Sequence, residues 1–269
     1  MTRLLAIGDV VGKGGRRCLE LLLPRARAEF RPDVVLVNGE NAAGGFGLTE
    51  KIYDGLVGPL GVDAVTMGNH WHDKREIYDF MGRAERLVLP ANMANVQTEN
   101  LGLRILKAHG GAPFAVINLI GRAFMHGENR DPFAAVDRLL DQIPAAVRVR
   151  IVDMHAEATS EKQGLAWYLS GRVSLVYGTH SHVPTADERI MGGKTGFVTD
   201  IGMTGGYDSV IGMRKEPAIQ RLVTGEKKKF EPSTEDLWTC FIVADVDEAT
   251  GQCRSIQRVR WELSKELDA

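Results

Sequence analysis

The chain has 269 residues, which is the length of one large domain or two small ones. Hydrophobic residues make up 44% of it and charged residues 25%, and these ordinary globular values exclude a disordered, collagen-like or disulfide-scaffold protein. The formal net charge of −2 leaves no excess of Lys and Arg to neutralise the phosphates of duplex DNA. We therefore expect a globular protein that does not bind duplex DNA but whose charge suits a small or short phosphorylated ligand.

The sequence predicts a cytoplasmic protein without a membrane partner. No apolar run approaches the roughly 18 residues of a membrane span, and the apolar stretch 4–7 is too short for a signal peptide. The cysteines, Cys18, Cys240 and Cys253, are odd in number and lack CxxC spacing. Because a disulfide framework needs paired cysteines, their pattern fits a reducing compartment.

Short apolar runs alternate with amphipathic stretches in the first third of the chain. Predicted strands cover residues 4–7, 34–37 and 64–67, and predicted helices cover 16–30, 49–60 and 76–83. This alternation is typical of βαβ units and therefore of a mainly parallel sheet covered by helices.

The rest of the chain is richer in strands. The runs 103–108 and 114–119 predict a hairpin, and helices at 132–142 and 161–169 alternate with strands at 149–152 and 173–177. From residue 188 onward the pattern predicts mostly strands, at 196–199, 238–246 and 255–263. Two facing sheets with helices outside would accommodate both halves of an α/β chain.

Polar residues follow five of the predicted strands, at the point where each strand ends. These segments are Gly8-Asp9, Asn38-Gly39-Glu40-Asn41, Gly68-Asn69-His70, Asp153-Met154-His155 and Gly178-Thr179-His180-Ser181-His182. Ligands of open α/β sheets bind beyond the carboxyl ends of the strands. If these strands are parallel neighbours, all five segments contribute side chains to one edge.

The side chains in these segments are oxygen and nitrogen ligands for metals. They comprise two carboxylates, two amides and four imidazoles: Asp9, Glu40, Asn41, Asn69, His70, His155, His180 and His182. A mixed N/O set without thiolate suits Mn, Fe, Zn or Co. The set is too large for one ion and suits two ions that share a carboxylate.

One pair of histidines gives a stronger signal than the others. His180 and His182 are two residues apart, and in extended backbone their rings would point to the same side. A lone histidine is more often a satisfied core or surface group than a ligand, and we expect His109, in the predicted hairpin, to be exposed.

The five segments resemble, in order, the motifs of the calcineurin-like metallophosphoesterases. The Gly-Asn-His motif at 68–70 and the Gly-x-His-x-His motif at 178–182 are the most specific. Two departures from the superfamily pattern occur: Val11 replaces the His of Asp-x-His, and Glu40 replaces the usual bridging Asp. Both are similar to the YmdB-like branch, as are the segments 7–12, 38–47, 67–70, 153–162 and 200–205.

The resemblance covers nearly the whole chain and carries several expectations. It implies a four-layer αββα sandwich of two facing mixed β-sheets flanked by helices, formed by a single domain over residues 1–269. It also implies a bacterial homo-oligomer with a binuclear metal centre that acts on cyclic nucleotides, 2′,3′-cyclic or 3′,5′-cyclic, or on a short RNA end.

The resemblance also implies a role for each ligand. Asp9, Asn41 and His182 would hold the first metal ion, and Asn69, His155 and His180 the second, with Glu40 as the bridge. Asn41 would take the place that Val11 cannot fill. The ions would be Fe or Mn, with Zn and Co as further candidates.

The expected reaction is in-line attack of a metal-bound water on a phosphodiester, with His70 as the general acid. His70 adjoins a ligand and would face the substrate, and imidazole is suited to proton transfer near neutral pH. Two alternatives remain open: a phosphomonoesterase of the same fold, and a metal-containing regulator that binds a nucleotide or RNA with little turnover. The sequence assigns no substrate-binding residue and no role to the segment 122–126. A flexible loop is predicted at 202–208.

Overall fold

The computed structural model describes residues 1–94, 99–226 and 228–267. Its strands are β1 Thr2–Ile7, β2 Asp9–Val10, β3 Val34–Asn38, β4 Ala64–Thr66, β5 Leu87–Val88, β6 Leu103–Lys107, β7 Pro113–Ile120, β8 Val149–His155, β9 Leu175–Thr179, β10 Arg189–Met191, β11 Thr195–Val198, β12 Met203–Gly206, β13 Leu237–Val246 and β14 Cys253–Glu262. Its α-helices are α1 Gly12–Phe30, α2 Glu50–Val57, α3 Ile77–Phe80, α4 Pro132–Asp141, α5 Thr159–Tyr168, α6 Lys215–Thr224 and α7 Leu263–Leu267.

The strands form two mixed sheets. The first has the order β2-β12-β13-β1-β3-β4-β5, with β14 also paired to β13. Within it, β1, β3, β4 and β5 are parallel, whereas β13 is antiparallel to β1. The second sheet has the order β10-β11-β9-β8-β7-β6, and its central strands β7, β8, β9 and β11 are parallel. Both sheets therefore align the carboxyl ends of their central strands.

Three apolar layers hold the sheets and helices together. The central layer packs one face of each sheet against the other, through residues such as Leu36 of β3 and Ile151 of β8. The outer face of the first sheet packs on α1 and α2, and the outer face of the second packs on α4 and α5. This arrangement is the expected four-layer αββα sandwich.

Most elements lie close to their predicted positions, and the hairpin of β6 and β7 is confirmed. Helix α1 begins at Gly12, four residues earlier than predicted. Its first turn can pack closely on β12 because residue 15 is a glycine. A Cβ at Gly15 would overlap the carbonyl oxygen of Thr204.

One prediction for the C-terminal third is wrong, and one helix there was not predicted. The segment 202–208 is not simply a flexible loop, because its residues 203–206 form the buried strand β12 between β2 and β13. The region after residue 188 also contains a helix, α6, in which Ala218 is the one buried residue. The apolar residues Ile219, Leu222 and Val223 of α6 stand at helical spacing but are exposed, so the helix contributes little to the core.

Among the described residues, no helix is long and apolar enough to cross a membrane.

Candidate metal centre

All eight predicted site residues lie at the carboxyl ends of the central strands. Asp9 follows β1, Glu40 and Asn41 follow β3, and Asn69 and His70 follow β4, all in the first sheet. The second sheet contributes the remaining three, since β8 ends at His155 and the segment after β9 carries His180 and His182. The two sheets face each other, so their aligned edges bring these residues into one site.

One group of donor atoms surrounds Nε2 of His155. It lies 3.0 Å from Oδ1 of Asn69, 3.1 Å from Nδ1 of His180 and 3.2 Å from Oε1 of Glu40. The donor atoms of Glu40, His155 and His180 all lie within 4.8 Å of one another, and two of these side chains are fully buried. Such a convergence of nitrogen and oxygen donors has the composition of a transition-metal site.

A second group of donor atoms surrounds Nε2 of His182. It lies 3.2 Å from Oδ1 of Asn41 and 3.9 Å from Oδ1 of Asp9. Oδ1 of Asp9 is buried and accepts no hydrogen bond from any described residue. A buried carboxylate oxygen without a partner is costly, so a cation at this position would compensate it. The donor set therefore fits a divalent metal ion.

Contacts behind the donors fix their orientation. Nδ1 of His155 lies 2.9 Å from Oγ1 of Thr179, and Nδ1 of His182 lies 2.8 Å from the carbonyl oxygen of Ile211. The side-chain amide of Asn41 donates to the carbonyl oxygen of Gly45 at 2.9 Å, which directs its Oδ1 toward His182. Outer contacts of this kind select the ring nitrogen or amide oxygen that faces a metal.

The electrostatics of the first group favour positive charge. Burial alone raises the pKa of Glu40, but attraction by His155 and His70 outweighs it and brings this pKa to about 2. Burial lowers the pKa of His155, yet the Glu40 carboxylate raises it to about 9. Burial and the neighbouring His155 lower the pKa of His180 to about 3. The Glu40 carboxylate therefore stabilises positive charge beside it, whereas His180 stays neutral, as an imidazole that binds a metal must be.

His180 and His182 do not lie in extended backbone, so the prediction that their rings point to the same side is wrong. Their φ angles are +97° and +64°, which lie in the left-handed region. The turn sends His180 toward His155 and His182 toward Asn41. One short segment thus contributes to both groups of donor atoms.

His70 lies beside the two groups. Its backbone N–H donates to Oε2 of Glu40 at 3.0 Å, whereas its ring Nδ1 lies 2.8 Å from Oδ2 of Asp73. The ring packs edge-on against Phe46 at 4.9 Å between centroids, and 30% of the side chain is exposed. The ring is therefore oriented and open to solvent, as a proton donor to a substrate must be.

Sequence reasoning missed three features that shape the site. Lys162 and Asp200 form a buried ion pair beneath the turn that carries the two histidines. Asp153 accepts hydrogen bonds from the hydroxyls of Thr66 and Thr179 and so joins the two sheets behind the donors. Lys162, Asp153 and Asp200 stand in the segments that carry the family resemblance, which was the one available signal.

Gly68 is the third feature. A Cβ at this position would overlap Nε2 of His155 and Oε2 of Glu40. The absence of a side chain at Gly68 lets the strand end approach the donors closely.

Comparisons with known proteins agree with this architecture. The sequence model of a family described as YmdB-like protein matches residues 5–259. The chain is 44% identical to a protein of Bacillus subtilis (strain 168) named 2′,3′-cyclic-nucleotide 2′-phosphodiesterase, over 96% of each chain.

Solved structures give the same result. A crystal structure titled as a novel phosphatase from Mycoplasma pneumoniae superimposes with a TM-score of 0.89 at 31% identity, covering 97% of this chain and 93% of the other. A calcineurin-like phosphoesterase from Bacillus subtilis shares the fold alone, with a TM-score of 0.52 at 12% identity over 98% of this chain and 91% of the other. The chain belongs to the YmdB-like family and has the fold of the calcineurin-like phosphoesterases.

Proposed function

We propose that this protein is a metal-dependent phosphodiesterase that hydrolyses cyclic nucleotides, with 2′,3′-cyclic nucleotides as the first candidates. The observation that carries the proposal is the convergence of the seven donor side chains at the facing edges of two sheets. The 44% identity to the Bacillus subtilis 2′,3′-cyclic-nucleotide 2′-phosphodiesterase supports the substrate class.

The two groups of donors support the assignment of two ions. Asp9, Asn41 and His182 would hold one ion, and Asn69, His155 and His180 the other. Glu40 would bridge them, and Fe or Mn would suit this N/O set, with Zn and Co as further candidates. Asn41 contributes a neutral amide, so the first ion would be held more weakly than by an imidazole or carboxylate.

Bound divalent ions neutralise charge on the phosphoryl group and make a water molecule more acidic. Around that chemistry, the residues of the chain position and protonate the substrate. His70 would give a proton to the oxygen that leaves phosphorus as the oxygen of water bonds to phosphorus in line. The Asp73 carboxylate lies beside Nδ1 of His70 and orients the ring, so Nε2 would be the nitrogen that transfers the proton.

A phosphomonoesterase activity is the second candidate. The Mycoplasma pneumoniae relative is titled a phosphatase, which favours this alternative. Relative rates on monoester and diester chromogenic substrates would separate the two. A regulator with little turnover would bind the nucleotide tightly and release no product.

The single domain over residues 1–269, the cytoplasmic location and the homo-oligomer stay predictions. The apolar layer shared by both sheets supports the single domain.

The first experiment is elemental analysis of protein purified without added metal, with hydrolysis of 2′,3′-cyclic AMP assayed on the same sample. We expect about two transition-metal ions per chain, together with turnover. Two ions without turnover would favour another substrate or the regulator. Failure to bind metal after incubation with Mn or Fe would overturn the proposal.

A further inference from the structure

A cavity of about 280 Å³ opens beside the candidate metal centre. One wall is formed by residues that follow β4, from Asn69 to Tyr78, and the other by residues 126–129, which follow β7. Asn69 is also in contact with Nε2 of His155. The cavity and the metal centre therefore share a residue, and one ligand can occupy both.

The interior of the cavity is apolar and aromatic. Trp71, Tyr78, Met93 and Ile120 line it. The rings of Trp71 and Tyr78 meet edge to face, with 5.3 Å between their centroids. Tyr78 thus packs on Trp71 while 48% of the residue stays exposed. An aromatic ring that is supported on one side and open on the other can stack on a flat ligand.

One wall also carries polar groups that a ligand can reach. The exposed side chains of His126 and Glu128 lie on the wall opposite Trp71 and Tyr78.

We propose that this cavity binds the nucleobase of the nucleotide whose phosphoryl group lies at the metal centre. A nucleobase has two apolar faces for stacking and a polar edge that the exposed side chains of His126 and Glu128 can meet. The inference rests on the proposed phosphodiesterase function and adds the part of the site that recognises the base.

The second wall is preorganised by hydrogen bonds. The backbone N–H groups of Arg122 and Ala123 both donate to the carboxylate of Glu161 on α5. The side chain of Asn129 donates to the carbonyl oxygen of Gly121 at 2.8 Å. These contacts close the segment 121–129 into a fixed loop and give the segment 122–126 a role as the support of the base-binding wall.

The test compares Tyr78→Ala with Tyr168→Ala. Tyr168 is a matched control because it is 45% exposed on α5, on the outer face of the second sheet. Each variant is assayed on 2′,3′-cyclic AMP and on glycerol 1,2-cyclic phosphate, which keeps the cyclic diester and lacks a base. Elemental analysis of each sample verifies that the metal content is unchanged.

For Tyr78→Ala we expect KM for 2′,3′-cyclic AMP to rise about ten-fold, because base–aromatic stacking is lost. Its kcat for this substrate should be retained, and kcat/KM for the base-free diester should be unchanged. Tyr168→Ala should match the unaltered protein on both substrates. If the base-free diester is not hydrolysed, the KM and kcat for the nucleotide alone give the same answer.

If Tyr78→Ala loses kcat/KM equally on both substrates, or loses kcat at constant KM, the assignment of the cavity to the base is overturned. The phosphodiesterase function would stand in either case. If the unaltered, metal-loaded protein hydrolyses neither diester, the proposed function is overturned, and the cavity assignment with it.

Discussion

Nζ of Lys162 lies 2.7 Å from Oδ2 of Asp200, and both side chains are almost fully buried. Oδ2 of Asp200 also accepts a hydrogen bond from the backbone N–H of Ser181 at 3.1 Å. Oδ1 of Asp200 accepts one from the backbone N–H of Gly202 at 2.8 Å. Ser181 stands between His180 and His182. The ion pair thus holds the turn that gives one histidine to each group of donors.

Lys162→Met should destabilise the protein by about 3 kcal/mol, because it leaves the buried Asp200 carboxylate without its cation. Thermal unfolding measures the effect. Arg172→Met removes an exposed cation from its pair with Asp137 and should cost less than about 1 kcal/mol. Equal losses of unfolding free energy in the two variants would show that the buried ion pair stabilises the protein no more than the exposed one does.

His70→Ala should lower turnover of 2′,3′-cyclic AMP by roughly 10²–10⁴-fold and leave the metal content unchanged, because it removes the proposed proton donor and no proposed ligand. His182→Ala should instead lower the metal content, since it removes a donor next to Asp9 and Asn41. His109→Ala, at an exposed hairpin position, is the control and should change neither. Loss of metal from His70→Ala would identify His70 as a ligand and refute its role as the acid.

Gly68→Ala should displace His155 and Glu40, because its Cβ would overlap Nε2 of the one and Oε2 of the other. We expect reduced metal content, measured by elemental analysis. Gly55→Ala in α2 is the matched control, since a Cβ there meets no atom within 4 Å. It should keep its metal and gain about 0.5–1 kcal/mol from helix propensity. Full metal content in Gly68→Ala would mean that the strand end can move without disturbing the donors.

The three cysteines should be unreactive toward a disulfide reagent at pH 8 in the folded protein. All of them are buried, and burial raises the pKa of Cys18, Cys240 and Cys253 to about 11 from about 9. The folded state therefore favours the neutral thiols. Their contribution to stability is present below pH 9 and is lost as the pH rises through about 11. Unfolding should expose three reactive thiols, and prompt reaction before unfolding would contradict the assigned burial.

The sequence predicted best those strands that are buried on both faces. Residues 34–37 of β3 are a continuous run of β-branched and aliphatic residues, which gives a clear signal. β12, with the sequence Met-Thr-Gly-Gly, has almost no strand propensity and exists because β2 and β13 pair with it. Tertiary pairing of this kind leaves no local pattern.

The candidate ligands were predictable for a different reason. Parallel strands deliver the residues after their carboxyl ends to one edge, so position alone indicated the site. The orientation of the rings was not predictable in this way. His180 and His182 occupy left-handed conformations that a histidine seldom adopts, and the buried Asp200 contact that holds them is distant in sequence.

The origin of the donors in two different sheets has a consequence for folding. Asp9, Glu40, Asn41 and Asn69 come from the first sheet, and His155, His180 and His182 from the second. Ions held by both sets would act as a non-covalent cross-link between the layers. The complete donor set exists only once the sheets have docked, so metal uptake would be the closing event of folding and would slow the separation of the sheets afterwards.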